Sequence, residues 1–208
     1  MSTNRFPLIF DGHNDTVLSM AGGRSIFERS DEGHIDLPRA AEGGLGGGFF
    51  AVYIADPLPD EVLNADPEER AKAAMGRYLD ESKRPPMMTL EYAQGQAMSH
   101  LARLFRAERE SEGKIRIART AAELQRNLDE GVFTMVLHFE GAEPLDTEGD
   151  ALEVFYQAGL RSLGLTWSRQ NRFSEGVPFR FPSSPDVGDG LTEAGKQLVR
   201  DCNRLGVM

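Results

Sequence analysis

Residues Leu8–Asp15 read LIFDGHND, and the fold assignment starts from this stretch. Three apolar residues, Leu8, Ile9 and Phe10, break at once into Asp11, Gly12, His13, Asn14 and Asp15. An apolar run closed by a glycine and polar residues predicts a buried strand, Leu8–Phe10, whose C-terminal end emerges at a surface. His13 and Asp15 stand two apart, so on extended backbone their side chains share a side. An imidazole and a carboxylate presented together can hold a divalent ion such as zinc. A lone H-x-D more often just finishes a turn, so the pattern gains weight only if the rest of the chain supplies partners.

Outward from this stretch the same pattern recurs. Gly47–Ile54 (GGFFAVYI) is an aromatic and β-branched run that predicts a buried strand. Phe133–His138 (FTMVLH) is a third, and it opens into Phe139, Glu140 and Gly141. Leu160–Trp167 (LRSLGLTW) is a further strand, followed by Ser168, Arg169, Gln170 and Asn171. Lys114–Ala118 alternates like a short strand, and Val207-Met208 reads as the start of another. Helices are predicted between them. Pro67-Glu68-Glu69 opens one, with a proline and two acids at the positive end of the dipole. A second runs from about Thr89 to Arg109 on apolar residues at helical spacing. Thr120 starts a third, with Glu123 completing a capping box and Gly131 as the stop. Two more cover Asp150–Ala158 and Thr192–Leu205. Thr16–Gly33 reads as loop with a short helix, and His34–Gly48 as connection. Repeated βα units imply an α/β fold with a parallel sheet, whose chemistry sits at the C-terminal ends of its strands.

The glycines of GGLGGG (Gly43–Gly48) do not make a phosphate loop. No Lys-Ser/Thr follows them, and a strand follows where a helix would be needed. Close backbone approach at the strand entry explains them better. His100 has no partner at ligand spacing and reads as a surface or packing residue on its helix. Cys202, the only cysteine, lies on the apolar side of the last helix and reads as core. A single cysteine also excludes an internal disulfide and a cysteine-based metal site.

Composition narrows the function classes. At 208 residues, with 40% hydrophobic and 27% charged residues, the chain suits one globular domain with a substantial core. A net charge of −10 disfavours nucleic acid and anionic membrane surfaces as partners. No run approaches the roughly 18 apolar residues of a membrane span. The N-terminus lacks a long apolar stretch before Asp11, so a secretory leader is not expected and the cytoplasm is the default location.

Four segments in combination resemble the membrane (renal-type) dipeptidases and their bacterial relatives. They are FDGHND at Phe10–Asp15, HIDLPRAAEGGLGGGFFAVYI at His34–Ile54, LHFEGAEPL at Leu137–Leu145, and LRSLGLTWSRQN at Leu160–Asn171 continuing into GLTEAGKQLVRDCNRLGV at Gly190–Val207. The resemblance covers nearly the whole chain and is interrupted mainly around residues 56–118. It implies a (β/α)8 TIM-type barrel of which residues 1–208 are about the first half. It also implies hydrolysis of dipeptides through a water bridging two zinc ions. Carried over, His13 and Asp15 match metal ligands, and Glu140 matches the glutamate that bridges both ions and is thereby also the catalytic residue. Without the resemblance, Glu140 beside Glu143 reads equally well as a solvated loop acid. Consistently, no G-x-S-x-G elbow occurs that would supply a serine nucleophile.

At the end of the Leu160–Trp167 strand, Trp167 and Asn171 are the substrate-binding candidates. Trp167 stands where the family commonly carries a histidine that helps hold the substrate. An indole offers only an N–H donor and an apolar face, so it serves as pocket wall or as plain packing. The family's pattern also continues beyond the position of Met208, into a strand with further histidine ligands. Half a barrel leaves an open edge that would favour dimerisation or aggregation. Two rival readings follow from these departures. One is another binuclear-metal barrel hydrolase acting on a lactone, cyclic amide or phosphotriester. Such enzymes commonly place a carboxylated lysine on the middle strand, where this chain has Glu140. The other is a truncated, inactive fragment.

Overall fold

The computed structural model describes residues 7–79, 85–177, 181–184, 186 and 188–208. Residues 1–6, part of the stretch read above as too polar for a leader, lie outside the described residues. Four parallel strands form one continuous arc: β1 (Ile9–Asn14), β2 (Leu45–Tyr53), β4 (Phe133–Glu140) and β5 (Leu160–Gly164). β1 pairs with β2, β2 with β4 and β4 with β5, all parallel. The short β3 (Ile115–Ile117) joins the N-terminal part of β4, through Ile115 beside Phe133 and Ile117 beside Met135. The βα alternation thus yields the parallel sheet that the apolar runs predicted, of the barrel type that the resemblance implied. Met208 hydrogen-bonds to β5, donating to the Arg161 carbonyl at 2.9 Å and accepting from the Leu163 amide at 2.8 Å.

Five of the helices pack on the strands. α1 (Thr16–Ala21), α2 (Leu37–Gly43) and α5 (Leu90–Glu110) pack on β2, α6 (Ala121–Asp129) on β4, and α7 (Asp150–Ala158) on β5. α3 (Asp60–Leu63) and α4 (Pro67–Leu79) precede α5, and α8 (Glu193–Leu205) closes the series. Alternate residues of β2 and β4 point into this layer: Phe50, Val52, Met135, Leu137 and Phe139 are all buried. Phe139 meets Phe155 of α7 edge to face at 4.9 Å. Among the described residues no helix is long and apolar enough to cross a membrane.

Local signals behave as their chemistry requires. Thr89, Thr120 and Thr192 each cap a helix through the side-chain oxygen, and Glu123 reaches back to the Arg119 amide at 2.7 Å. Gly47 lies where β2 passes β4; a Cβ there would stand 2.0 Å from the Thr134 carbonyl oxygen. That is the close approach expected of the glycine run. His100 is buried packing, and Cys202 is buried on α8.

Three expectations about boundaries change. β1 runs through the polar cluster to Asn14, because Asn14 pairs with Phe50 and its amide donates to the Phe49 carbonyl at 3.1 Å. His34–Gly48 contains a helix that the glycines obscured. Asp36 caps it, accepting from the Arg39 amide at 2.9 Å, and Pro38 sits in its first turn. β5 stops at Gly164, three residues before Trp167. Beyond it the chain turns: the Leu165 carbonyl accepts from Ala142, and the Thr166 hydroxyl donates to the Arg169 carbonyl.

Candidate metal centre

The C-terminal ends of β1 and β4 meet above β2. His13 is the penultimate residue of β1, and Glu140 the last of β4, opposite Tyr53 of β2. Asp15 does not lie on the strand, as the two-residue spacing suggested. Its φ of −97° and ψ of 26° place it in the turn that opens α1, with a bulge in β1 just before. The turn nevertheless brings the side chains together. His13 Nε2 stands 3.4 Å from Glu140 Oε2 and 3.8 Å from Asp15 Oδ1. One donor atom from each of the three residues falls within 4.8 Å of the others.

One imidazole nitrogen and two carboxylates form a donor set that suits zinc. Tetrahedral bonds of about 2 Å leave donors on a shared ion about 3.3 Å apart, so the His13–Glu140 pair is already near that spacing and Asp15 must draw in to close on a cation. A carboxylate has two oxygens and can serve two ions, whereas the His13 nitrogen serves one. Burial pushes the Glu140 carboxyl above the ordinary range, and the neighbouring Asp15 and Glu143 add to this, while His13 opposes it. A positive charge here would relieve that cost.

Behind the cluster stands His138, two residues before Glu140 on the same face of β4. Its ring lies edge-on to His13 at 5.3 Å, and its Nδ1 is 2.9 Å from Ser162 Oγ on β5. Burial, followed by the nearby His13, holds His138 below the usual imidazole range. Beside the cluster opens a cavity of about 390 Å³, lined by Asp15, Glu140, Tyr53, Tyr78, Trp167 and Met75 among others. Clefts of about 300–1,000 Å³ hold small molecules.

Residues 3–208 match the membrane dipeptidase family, peptidase family M19. The chain belongs to that family. It is 42% identical to a solved dipeptidase AC, a metallopeptidase of the same family, with a TM-score of 0.80 over 97% of this chain and 55% of that one. A metallopeptidase from Rhodobacter sphaeroides, liganded with a phosphinate mimic of the dipeptide L-Ala-D-Ala, shares 40% identity and a TM-score of 0.82 over 97% of this chain and 57% of its own. An uncharacterized protein in the PQQ-III 3′ region of Acinetobacter calcoaceticus is 32% identical over 93% of this chain and 59% of its length. This M19 chain therefore spans a little over half the length of these relatives.

A second set of polar residues in the M19 chain escaped sequence reading. Arg169 is 1% exposed and is enclosed by acceptors from three distant segments. It pairs with Asp56 at 2.8 Å and Glu143 at 3.2 Å, and donates to the Tyr78 hydroxyl at 3.0 Å and the Ile54 carbonyl at 2.8 Å. The Tyr78 hydroxyl in turn donates to Asp56. Gly141, at φ +107°, lets the chain fold Glu143 beneath the site; a Cβ there would meet Glu143 Oε2 at 2.1 Å. Nothing in the sequence separates Arg169 from a solvated arginine, since Asp56 lies 113 positions away. The EGAE spacing of Glu140 and Glu143 is the one local hint.

The two substrate-binding candidates part company. Trp167 lines the cavity, packed edge to face on Tyr53 at 5.0 Å and Tyr78 at 4.9 Å. Asn171 is buried and its amide is spent on the loop. It donates to the Leu165 carbonyl at 2.8 Å and accepts from the Phe173 and Ser174 amides at 2.9 and 3.1 Å. Its placement makes it a staple of the loop that carries Trp167.

Proposed function

We propose that the protein carrying this chain hydrolyses dipeptides at a pair of zinc ions, with His13 and Asp15 as ligands and Glu140 shared between the ions. The observation that carries this reading is the convergence of those three side chains within 4.8 Å beside a cavity of dipeptide size. Membership of a dipeptidase family supports it, as does the dipeptide mimic held by the Rhodobacter sphaeroides relative. Zinc ions, when bound, activate water and polarise a carbonyl oxygen.

The chain's own residues have distinct parts in this chemistry. His13, at the end of β1, and Asp15, at the N-cap of α1, would hold an ion at the C-terminal ends of the strands. Glu140 ties that position to the middle strand, and its partial burial keeps bulk water from competing for its oxygens. The cavity walls hold the substrate so that its peptide bond lies against the cluster, and water adds across that bond to give a free carboxylate and a free amine.

Three ligands satisfy one catalytic zinc, so a pair needs ligands beyond His13, Asp15 and Glu140. We therefore expect residues 1–208 alone to bind zinc weakly and to cleave dipeptides negligibly. A chimera joining them to the C-terminal part of the Rhodobacter sphaeroides relative should do both. The test is zinc titration and dipeptide hydrolysis on both proteins, with Glu140→Ala in the chimera. Comparable turnover by the short chain would refute the ligand assignment. Full activity with Glu140→Ala would refute the bridging role.

A further inference from the structure

The cavity beside the metal cluster is asymmetric in its chemistry. Asp15, Glu140 and Asp56 are its acidic lining, and Asp56 is already paired with Arg169 and Tyr78. The remainder is largely apolar, with Leu58 before α4 and Ala71, Ala74 and Met75 on α4. Three aromatic rings complete the wall, with Trp167 packed between Tyr53 and Tyr78. The hydroxyl of Tyr78 is engaged with Asp56 and Arg169, so what Tyr78 offers the cavity is its ring. Burial pushes the Tyr53 hydroxyl up to about 12, so this group stays neutral as well. The buried Arg169 ion pairs fix the aromatic wall in place, since moving Tyr78 would strip the guanidinium of an acceptor.

We propose that this aromatic and aliphatic pocket is a subsite for a large apolar side chain of the dipeptide, and that the protein prefers dipeptides carrying phenylalanine, leucine or a similar residue. The proposal rests on the dipeptidase reading for the identity of the ligand, and on the cavity walls for its preference. Ala71, Ala74 and Met75 of α4 and the indole of Trp167 give the pocket its apolar wall. Each buried methylene is worth roughly fourfold in affinity, so a phenyl group entering the cavity outweighs a methyl by well over tenfold.

Trp167 is the only tryptophan in the chain, so its emission reports on this pocket alone. The experiment titrates the zinc-stripped 208-residue chain with Phe-Phe and with Ala-Ala while following Trp167 fluorescence. A parallel arm measures hydrolysis of the same dipeptides by the zinc-loaded chimera. Phe-Phe should half-saturate the emission change at a concentration at least tenfold below Ala-Ala. Ala74→Phe, which fills the cavity, should erase that difference while zinc binding stays unchanged. Met75→Gln, at a position exposed enough to spare the fold, should reduce it several-fold. Equal half-saturation by the two dipeptides, or a preference that survives both substitutions, would overturn the subsite. A clear Phe-Phe preference without hydrolysis by either the short chain or the chimera would uphold the subsite and refute the dipeptidase reading instead.

Discussion

The two faces of β4 are made from alternate residues of a single stretch, FTMVLHFE, and they differ in almost every property. Met135, Leu137 and Phe139 point into the helical layer, and none of them is exposed. Val136, His138 and Glu140 point the other way, and they become more polar and more open toward the strand's end. The first set is held by packing and the second by hydrogen bonds and charge. A two-residue period is enough to separate the face that holds the protein together from the face that carries the candidate metal ligands. Tolerance to substitution should therefore alternate along this strand.

The sharpest way to break that comparison is to exchange neighbours at its end. Phe139→Ala should cost about 3–5 kcal/mol in urea unfolding, because it removes a buried ring packed on Phe155. Glu140→Gln should cost less than about 1 kcal/mol, since its environment already disfavours the charged form. The same change should weaken zinc binding by at least about a hundredfold, more than the loss of a supporting partner would. Equal destabilisation by the two variants would show that the faces do not divide the work as described.

A smaller effect is expected in the loop that follows β5. Asn171→Ala should cost about 1–3 kcal/mol, because two buried amides and a carbonyl lose their partner. If Asn171 is a staple, the variant should also shift Trp167 emission toward that of exposed indole before any ligand is added. A variant of native stability and native emission that failed only in substrate binding would restore Asn171 to the site.

The smallest effect belongs to the helix covering the outer face. Asp146 receives the amides of Gly149, Asp150 and Ala151 at the start of α7. Burial pushes its carboxyl up, but these hydrogen bonds outweigh it and hold the group below the ordinary range. A carboxyl depressed in the folded state stabilises above its unfolded value of about 3.9, and the benefit fades as pH falls through the folded value. Asp146→Ala should thus cost about 1 kcal/mol between pH 5 and 8, and progressively less below about pH 4. Urea midpoints measured across that range check the sign. A gap that widened on acidification would reverse it.

Two residues of the candidate metal cluster, His13 and Asp15, were legible because their chemistry sits beside the signals that end a strand. A histidine and a carboxylate follow LIF at a strand end, whereas the glutamate after VLHF was singled out by the resemblance to the dipeptidases. The manner of their meeting was not legible. Asp15 reaches His13 through a turn into α1, and a bulge in β1 prepares it; neither leaves a periodic trace. The helix at Leu37–Gly43 was hidden for the opposite reason. Its capping residue, Asp36, was present in plain sight, but the glycines after it suggested a connection.

Taken by itself, the sequence determined the strands, most of the helices, the parallel order and His13 with Asp15 as ligand candidates, while Glu140 joined them through the resemblance to the dipeptidases. Those depend on side-chain period, caps and residue type, which act over a few neighbouring positions. Tertiary structure alone decided that Arg169 joins Asp56, Glu143 and Tyr78 under the site, that Trp167 closes an apolar cavity, and that Asn171 serves its own loop. Each of these depends on which segments the sheet brings side by side. A buried charge finds its partners by proximity in space, and proximity across 113 residues is written in no local pattern.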